Sequence, residues 1–260
     1  MGRTIAVTNQ KGGVGKTTTT VNLAAALSTR KSKILVVDID PQGNATSGLG
    51  IEKDQQEKSV YELLLGTASF DEVLVKTEYD ELYVLPSNIQ LSGAEIELID
   101  IPEREYLLKN ALDQQKDKFD YILVDCPPSL NMLTINAMAA ADGILVPIQC
   151  EYYALEGLTQ LMHTIGLIQQ KINPQLELDG IVFTMYDSRN NLSKDVVENV
   201  KANLNEKIFK TIIPRNVRLA EAPSHGMPVT EYAPDSTGAK AYKHLAKEMV
   251  KMLKKKQEGK

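Results

Sequence analysis

The sequence predicts an α/β fold in which a twisted, mostly parallel β-sheet is flanked by helices on both faces. Short apolar runs typical of strands alternate with longer stretches of helical periodicity, which is the pattern of βαβ units. Several of these runs are continuously apolar, as expected for strands that helices cover on both faces. No linker rich in proline, glycine or serine divides the 260 residues. We therefore expect one domain spanning residues 1–260.

The predicted elements follow one another along the whole chain. Strands are expected at residues 4–8, 34–38, 82–85, 121–125, 144–148, 180–184 and 209–213. Helices are expected at residues 17–28, 103–114, 130–140, 155–170, 193–204 and about 237–256. Residues 50–80 have the weakest periodicity, so short surface helices are expected there.

The composition excludes several classes of protein. Apolar residues make up 43% and charged residues 24% of the chain, which is ordinary for a globular protein and not for a disordered one. Cys126 and Cys150 lie in apolar contexts and are expected to be buried free thiols, as in a reducing cytoplasm. No signal-peptide pattern and no apolar run of membrane-spanning length is visible. We therefore expect a cytoplasmic protein without a membrane anchor.

The segment from Gln10 to Thr18, QKGGVGKTT, lies between the first predicted strand and the first predicted helix. A phosphate-binding loop requires this context, because glycines turn backbone N–H groups inward and the helix N-terminus adds a favourable dipole. Lys16 is expected to reach the β- and γ-phosphates of a nucleotide. The sequence therefore predicts a P-loop NTPase whose loop contacts come from Lys11, Gly12, Gly13, Val14, Gly15, Lys16, Thr17 and Thr18.

This loop departs from the ordinary pattern G-x-x-x-x-G-K-[ST], which would place glycine at position 10. The chain has Gln10 there, followed by Lys11 and Gly12. A glycine-rich turn with a chance lysine is the alternative interpretation of the segment, and a solvated lysine is the alternative for Lys11. Agreement between the strand, the loop and the helix favours the phosphate loop.

Two aspartates end predicted strands, and a third follows closely. Asp38 and Asp125 each come after four apolar residues, and Asp40 lies two residues beyond Asp38. Ligands of open α/β sheets bind outside the carboxyl ends of the strands, so these side chains are expected to face the nucleotide. A helix N-cap is the alternative for any one of them. Combined with the phosphate loop, they predict a Mg²⁺ site formed by Thr17, Asp38 and Asp125.

Five segments together resemble the ParA/Soj family of chromosome- and plasmid-partitioning ATPases, whose phosphate loop is of the deviant Walker A class. They are KGGVGKTT at 11–18, DIDPQGNAT at 38–46, DCPPS at 125–129, QCEYYALEG at 149–157 and IPRNVRLAEAPS at 213–224. The first three are shared with wider relatives, including MinD-like proteins. The last two are particular to the Soj-like branch, and the chain shows no departure from them.

The resemblance implies roles for individual residues. Lys11 is the signature lysine, which reaches across a nucleotide-sandwich dimer to the partner's phosphates, and Gly12 allows the close approach. An additional cation at the transferring phosphate lowers the cost of the charge that develops in the transition state. Asp40 positions the attacking water, so the catalytic residues are Lys11, Lys16 and Asp40. Pro214 and Asn216 border the adenine.

The end of the chain carries a charge opposite to that of the rest. Residues 236–260 contain eight lysines and two glutamates, a net charge of +6, which leaves −11 elsewhere because the total is −5. On the predicted C-terminal helix the lysines, Lys243 and Lys247 among them, lie on one face opposite an apolar stripe. A solvated helix face is the alternative interpretation. Arg189 and Arg218 match positions that the family uses for nonspecific DNA contact.

The resemblance therefore implies a DNA segregation ATPase that requires ATP and Mg²⁺. ATP is expected to close a homodimer, whose doubled basic patch binds double-stranded DNA without sequence preference through counterion release. Hydrolysis, stimulated by the basic N-terminal tail of a ParB-like centromere-binding protein, is expected to release the DNA. We expect the protein to be cytoplasmic and associated with the nucleoid.

Three other functions share the phosphate loop. A MinD-like membrane-cycling ATPase ends in an amphipathic membrane helix, whereas residues 254–260 offer no bulky apolar face. An iron–sulfur reductase would need a cluster shared between subunits, and the two cysteines of this chain lie within strand-end motifs. A metabolic ligase or small-molecule kinase stays open, because a sequence rarely reveals a second-substrate pocket.

Overall fold

The fold is built on one β-sheet. The computed structural model describes residues 2–29, 32–203 and 207–258, so the end of the predicted helix 193–204 and the last two residues of the chain lie outside the described residues. Within the described residues, the strands are β1 (Arg3–Val7), β2 (Ile34–Asp38), β3 (Val75–Lys76), β4 (Leu82–Leu85), β5 (Tyr121–Asp125), β6 (Gly143–Gln149) and β7 (Glu177–Thr184). Their spatial order is β3-β4-β2-β5-β1-β6-β7. All neighbours are parallel except β3, which pairs antiparallel with β4.

Helices connect the strands. They are α1 (Lys16–Ser28), α2 (Asn44–Gly48), α3 (Val60–Leu64), α4 (Phe70–Val73), α5 (Leu91–Glu97), α6 (Leu107–Asp113), α7 (Met132–Ala140), α8 (Ala154–Lys171), α9 (Asn191–Asn203), α10 (Val217–Glu221), α11 (Val229–Tyr232) and α12 (Thr237–Glu258). Short 3₁₀ turns lie at Lys53–Gln55, Arg104–Tyr106, Lys116–Lys118 and Ala222–His225. None of the described helices is long and apolar enough to cross a lipid bilayer.

Two apolar cores lie on opposite faces of the sheet. Along β1, Ile5 and Val7 pack into the core formed with α1 and α12, whereas Ala6 packs into the core formed with α3 to α9. This alternation follows from the two-residue period of a strand. Because helices cover both faces, the central strands are buried along their length, which confirms the predicted fold class and explains their continuous apolar runs. Both cysteines are buried and free, as predicted.

The strand predicted at residues 209–213 is wrong. The structure has only single bridges on either side of it, which pair Ile208 with Ile181 and Pro214 with Tyr186. The backbone N–H groups of Lys210 and Thr211 donate instead to the Glu248 carboxylate on α12, at 2.7 and 2.9 Å. A side chain from a distant helix therefore takes the hydrogen bonds that a regular strand would direct to its neighbours.

Other predicted boundaries also change. The helix predicted at 103–114 is shorter, because a 3₁₀ turn follows Glu103, whose φ of 53° is left-handed, and α6 begins only at Leu107. The short edge strand β3 was missed, since two residues carry too little periodicity to be recognised. Residues 50–80 hold α3 and α4 as well as β3, in agreement with the expected short helices.

The C-terminal helix α12 is attached to the body of the protein at several points along its length. Its buried Tyr242 lies with its hydroxyl 3.2 Å from the Thr19 hydroxyl of α1. Glu248 accepts the two backbone hydrogen bonds from the segment before Pro214. Near its end, Lys256 forms ion pairs with Glu177 and Asp179 of β7. Its predicted apolar stripe is buried and comprises Ala239, Tyr242, Leu245, Ala246, Met249 and Leu253.

Candidate functional site

The predicted site residues meet at the carboxyl ends of the three central strands. Strand β5 lies between β2 and β1. Its last residue, Asp125, is in register with Asp38 of β2 on one side and Val7 of β1 on the other. The loop from Gln10 to Thr18 follows β1 and leads into α1. The parallel sheet therefore brings the loop and the two aspartates together, as the sequence predicts.

The loop has the backbone conformation that its glycines permit. Gly13 and Gly15 have φ values of 74° and 86°, in the left-handed region that other residues rarely adopt. Neighbouring elements hold the loop in place: Thr184 of β7 donates to the carbonyl of Val14 at 2.8 Å. Asn9 accepts from the Lys11 N–H and donates to Pro147 of β6. The loop is thus positioned by β6 and β7, the two strands on one side of β1.

Lys16 is the first residue of α1 and is buried. Its ammonium donates to the backbone carbonyl of Lys11 at 3.1 Å. Burial lowers the pKa of Lys16, and the nearby carboxylates of Asp125 and Asp40 oppose that shift. A buried ammonium at the start of a helix, beside backbone N–H groups, is suited to binding phosphate oxygens.

The two strand-end aspartates are fully buried. Asp125 accepts hydrogen bonds from the Thr17 and Thr20 hydroxyls at 2.7 and 2.9 Å. Asp38 accepts from the backbone N–H and hydroxyl of Thr46 at 2.8 and 2.7 Å. Burial raises the pKa of both carboxyl groups, and their mutual repulsion adds to the shift at Asp125. Ionised carboxylates here would therefore be stabilised by a nearby cation.

The side chains around Thr17 suit a Mg²⁺ ion bound together with a nucleotide. Among the described residues, neither Asp38 nor Asp125 forms an ion pair with lysine or arginine. No group of three or more histidine, cysteine or acidic side chains converges into a metal site anywhere in this described part. Magnesium at nucleotide sites keeps waters and takes ligands from phosphates. Oxygen donors such as Thr17 and the two aspartates fit that arrangement.

Replacing Asp125 with asparagine tests the cost of this buried charge. The raised pKa means that the folded chain holds a proton more tightly than the unfolded chain, so Asp125 makes folding less favourable as pH rises above about 4. Without Mg²⁺ and nucleotide, the free energy of unfolding of Asp125→Asn at pH 8 should exceed that of the unchanged protein by about 1–2 kcal/mol, which corresponds to roughly 2–8 °C in Tm. The difference should shrink toward pH 4.

Thermal melts in EDTA from pH 4.5 to 8 measure this effect. The matched control is Asp71→Asn, because the Asp71 side chain is 76% exposed and its removal should change Tm little at any pH. A variant Asp125→Asn that melts below the unchanged protein at pH 8 would contradict the assignment of an uncompensated buried charge.

Asp40 borders the same cleft from the other side. It is buried, its carboxylate accepts from the Gln42 N–H at 3.0 Å, and its carbonyl accepts from the Ser87 hydroxyl at 2.8 Å. Gly43 ends this turn with a φ of 61°, and a Cβ there would lie 2.7 Å from the Ser87 carbonyl. The cleft has a volume of about 360 Å³ and is lined by Gly12, Gly13, Gly15, Lys16, Thr17, Thr18, Asp40, Gln42, Asn44, Pro128 and Met185.

A second, more apolar cleft of about 410 Å³ adjoins the first. The two share Gly15, Thr18 and Met185, and the second extends to Pro214 and Asn216. The Asn216 side chain caps α10 by accepting from the Arg218 N–H at 2.8 Å. The sequence did not single out Met185, whose left-handed φ of 52° at the end of β7 places it between the clefts. No local sequence signal marks it.

Lys11 is held differently from Lys16. Its side chain is partly exposed and forms an ion pair with Glu151 after β6. Glu151 was not predicted as a site residue, although it lies in one of the segments that carry the family resemblance. At Gly12 an added Cβ would meet only the Pro128 Cβ, at 3.9 Å. Nothing within the described chain therefore requires glycine at position 12.

The basic residues predicted to bind DNA lie at the surface. Arg189 follows β7 and donates two hydrogen bonds to Asp187 at 3.0 and 2.8 Å. Arg218 on α10 donates to Glu221 at 2.7 Å. On α12, Lys247 is exposed and Lys243 is half-buried. The arginines are thus exposed but paired with carboxylates close by in sequence.

Comparison with known proteins supports the resemblance seen in the sequence. A family model described as an AAA domain matches residues 2–178. The chain is 55% identical to the sporulation initiation inhibitor protein Soj of Bacillus subtilis over 250 residues, which cover 96% of this chain and 99% of that protein. It is 50% identical over 250 residues to the chromosome-partitioning ATPase Soj of Treponema pallidum, with 96% and 98% covered.

Solved structures share the fold. The cobyrinic acid a,c-diamide synthase of Mycobacterium smegmatis, with a bound ATP analog and magnesium, matches with a TM-score of 0.86 and 40% identity, covering 98% of this chain and 96% of that one. Because the identity to the partitioning proteins is higher and extends over nearly the full length of each, this chain belongs to the ParA/Soj family of chromosome-partitioning ATPases.

Proposed function

We propose that this protein is a Mg²⁺-dependent ATPase that segregates DNA and hydrolyses ATP to ADP and phosphate. The phosphates would lie in the polar cleft against the loop Lys11–Thr18, and the adenine in the adjoining apolar cleft beside Pro214 and Asn216. Two contiguous clefts, joined at Gly15 and Thr18 and with the second the more apolar, match the two ends of a nucleotide.

The side chains of the polar cleft divide the chemistry between them. Lys16 would bind the β- and γ-phosphate oxygens, and Thr17, Asp38 and Asp125 would hold Mg²⁺ directly or through water. The ion would supply positive charge to the phosphate oxygens when bound. The carboxylate of Asp40, fixed by the Gln42 N–H, would orient the attacking water.

The contrast between the two loop lysines carries the proposal that ATP joins two copies. Lys16 is buried in the cleft of its own chain, whereas the Lys11 side chain is partly exposed and pairs with Glu151, whose side chain is also partly exposed. Exposed ion pairs contribute little free energy, so Lys11 can exchange Glu151 for the phosphates of a second copy. The open space beside Gly12 allows that copy to approach closely.

The closed dimer would bind double-stranded DNA without sequence preference through Arg189, Arg218, Lys243 and Lys247. Each arginine is exposed and pairs with a partly buried carboxylate, and DNA phosphates replace such partners of exposed arginines at little cost. A ParB-like partner would stimulate hydrolysis and release the DNA. Because the ATP-bound dimer would bind DNA, the protein would associate with the nucleoid in the cytoplasm. The MinD-like alternative is disfavoured, because the apolar stripe of α12 is buried against the protein.

Duplex DNA binding that depends on ATP tests this function. In gel-shift or sedimentation experiments, the unchanged protein should bind random-sequence duplexes with ATP but not with ADP. Arg189→Ala and Arg218→Ala should each weaken binding, and the slope of log affinity against log salt should fall by about one for each phosphate that is no longer neutralised. Binding of a fluorescent ATP analogue should be unchanged.

A lysine on the other face of the sheet provides the matched control. Lys109 on α6 is partly exposed and paired with a nearby acid, Asp113. Lys109→Ala should therefore leave DNA binding and its salt dependence unchanged. Equal DNA binding with and without nucleotide would contradict the proposed ATP-gated mechanism.

A further inference from the structure

We propose that the exposed apolar face of α5 is the docking surface for a cationic, amphipathic segment of a partner protein. This α5 surface consists of Ile89, Ile96, Ile99 and Leu130, bordered by the acidic residues Glu95, Glu97, Asp100 and Glu103. The proposal rests on the proposed function, in which a partner with a basic tail stimulates hydrolysis, and it assigns that partner a site.

Helix α5 and the turns at its two ends carry apolar residues on both a buried and an exposed side. Leu91, Ala94 and Leu98 are fully buried and pack into the core on one face of the sheet. On the other side, Ile89, Ile96 and Ile99 are 65%, 75% and 56% exposed, and Leu130 nearby is 48% exposed. A surface helix ordinarily presents polar residues to water. Clustered, exposed branched aliphatic side chains indicate an interaction site.

The border of this surface is strongly acidic. Residues 89–105 contain five acidic side chains and one arginine, a net charge of −4. Within the part of the chain that the structure describes, Glu95, Glu97, Asp100 and Glu103 form no ion pair with lysine or arginine. The partners of Glu97 and Glu95 are neutral groups, the Tyr61 hydroxyl and the Asn131 amide. The negative charge is therefore available to a cationic ligand.

This charge discriminates between the possible occupants. DNA and anionic membranes would place like charge against the surface. A second copy joined through the same surface about a twofold axis would also bring acid against acid. A peptide that presents aliphatic side chains on one side and lysine or arginine around them complements both the isoleucines and the carboxylates.

The α5 surface also lies beside the loops that carry the proposed catalytic groups. Asn131, six residues after Asp125, donates to Glu95 of α5. On the other side, Ile89 is two residues from Ser87, whose hydroxyl donates to the Asp40 carbonyl at 2.8 Å. A segment bound to α5 would therefore contact residues that lie only a few positions from Asp125, or from the Ser87 that bonds to Asp40. That position suits a partner that alters hydrolysis.

The double variant Ile96→Ser/Ile99→Ser tests this assignment. Both side chains are exposed, so the variant should fold and keep its basal ATPase rate. The probe is a labelled 20-residue peptide from the basic N-terminus of the ParB-like protein of the same genome. We expect its dissociation constant and the concentration for half-maximal stimulation of ATPase to rise at least tenfold. Leu167→Ser, at a 42% exposed position on α8, should leave both values unchanged.

Each further result has a defined meaning. A scrambled peptide of the same composition should bind more weakly, since charge alone does not match the aliphatic stripe. Stimulation of the double variant equal to that of the unchanged protein overturns the α5 site and leaves the proposed function standing. If the peptide neither binds nor stimulates the unchanged protein, the proposed partner role fails together with the site. Loss of ATP-dependent dimers in the double variant would identify the surface as a contact between copies and overturn the proposal.

Discussion

Replacing Asp40 with alanine is expected to give a protein that binds ATP and forms dimers but hydrolyses ATP at least about 100-fold more slowly. Asp40 lines the phosphate cleft together with Lys16 and the phosphate loop. Its proposed role is to orient water, so its removal should slow the chemical step and leave nucleotide binding to the loop. The ATP-bound state should then accumulate.

Light scattering with saturating Mg·ATP measures the expected accumulation. The mass of Asp40→Ala should rise from that of one 28.7 kDa chain to twice that value, and the dimer should persist for hours. Asp40→Asn is the conservative variant, because the amide oxygen retains the hydrogen bond from the Gln42 N–H. It should show the same loss of turnover. Hydrolysis at the unchanged rate, or a monomer at saturating ATP, would contradict the assignment of Asp40.

The substitution Gly12→Val should separate nucleotide binding from dimerisation. Gly12 has no left-handed φ, and an added Cβ would meet only Pro128 at 3.9 Å, so the variant should fold and bind ATP normally. In a symmetric sandwich dimer the added side chain occurs twice. At about 1–3 kcal/mol for each overpacked contact, dimerisation should weaken roughly 30-fold or more, and ATP-dependent DNA binding with it.

Sedimentation with Mg·ATP in the Asp40→Ala background measures this difference. Gly166→Val on α8 is the matched control, because a Cβ there meets nothing within 4 Å and so is accommodated as easily as one at Gly12. Gly166→Val should dimerise to the same extent as the Asp40→Ala protein that keeps both glycines. If Gly12→Val fails to bind a fluorescent ATP analogue, the glycine is needed within its own chain, and the proposed close approach of a second copy loses its support.

The phosphate loop and the central strands could be predicted because their signals are local. Glycines with φ values of 74° and 86° leave a recognisable spacing in the segment from Gln10 to Thr18. Strands buried on both faces leave continuous apolar runs such as ILVVD of β2. The parallel arrangement then fixes Asp38 and Asp125 side by side without further information.

The features that the sequence did not reveal depend on contacts between distant residues. Residues 209–213 have the composition of a strand, but Glu248, 37 residues after Thr211, accepts the N–H groups of Lys210 and Thr211. The pairing of Lys11 with Glu151 joins residues 140 positions apart. The conformation of Met185 is imposed on a residue type that does not favour it. Local patterns carry no trace of such tertiary effects.

The attachments of α12 to the rest of the chain limit how the protein can transmit a signal. Tyr242, Glu248 and Lys256 fasten the helix to α1, to the segment before Pro214 and to β7. We therefore expect the lysines of α12 to move with the walls of the nucleotide cleft as one rigid body. Nucleotide would then act on the basic helix by changing the distance between two copies of the chain, and not by bending α12 within one copy.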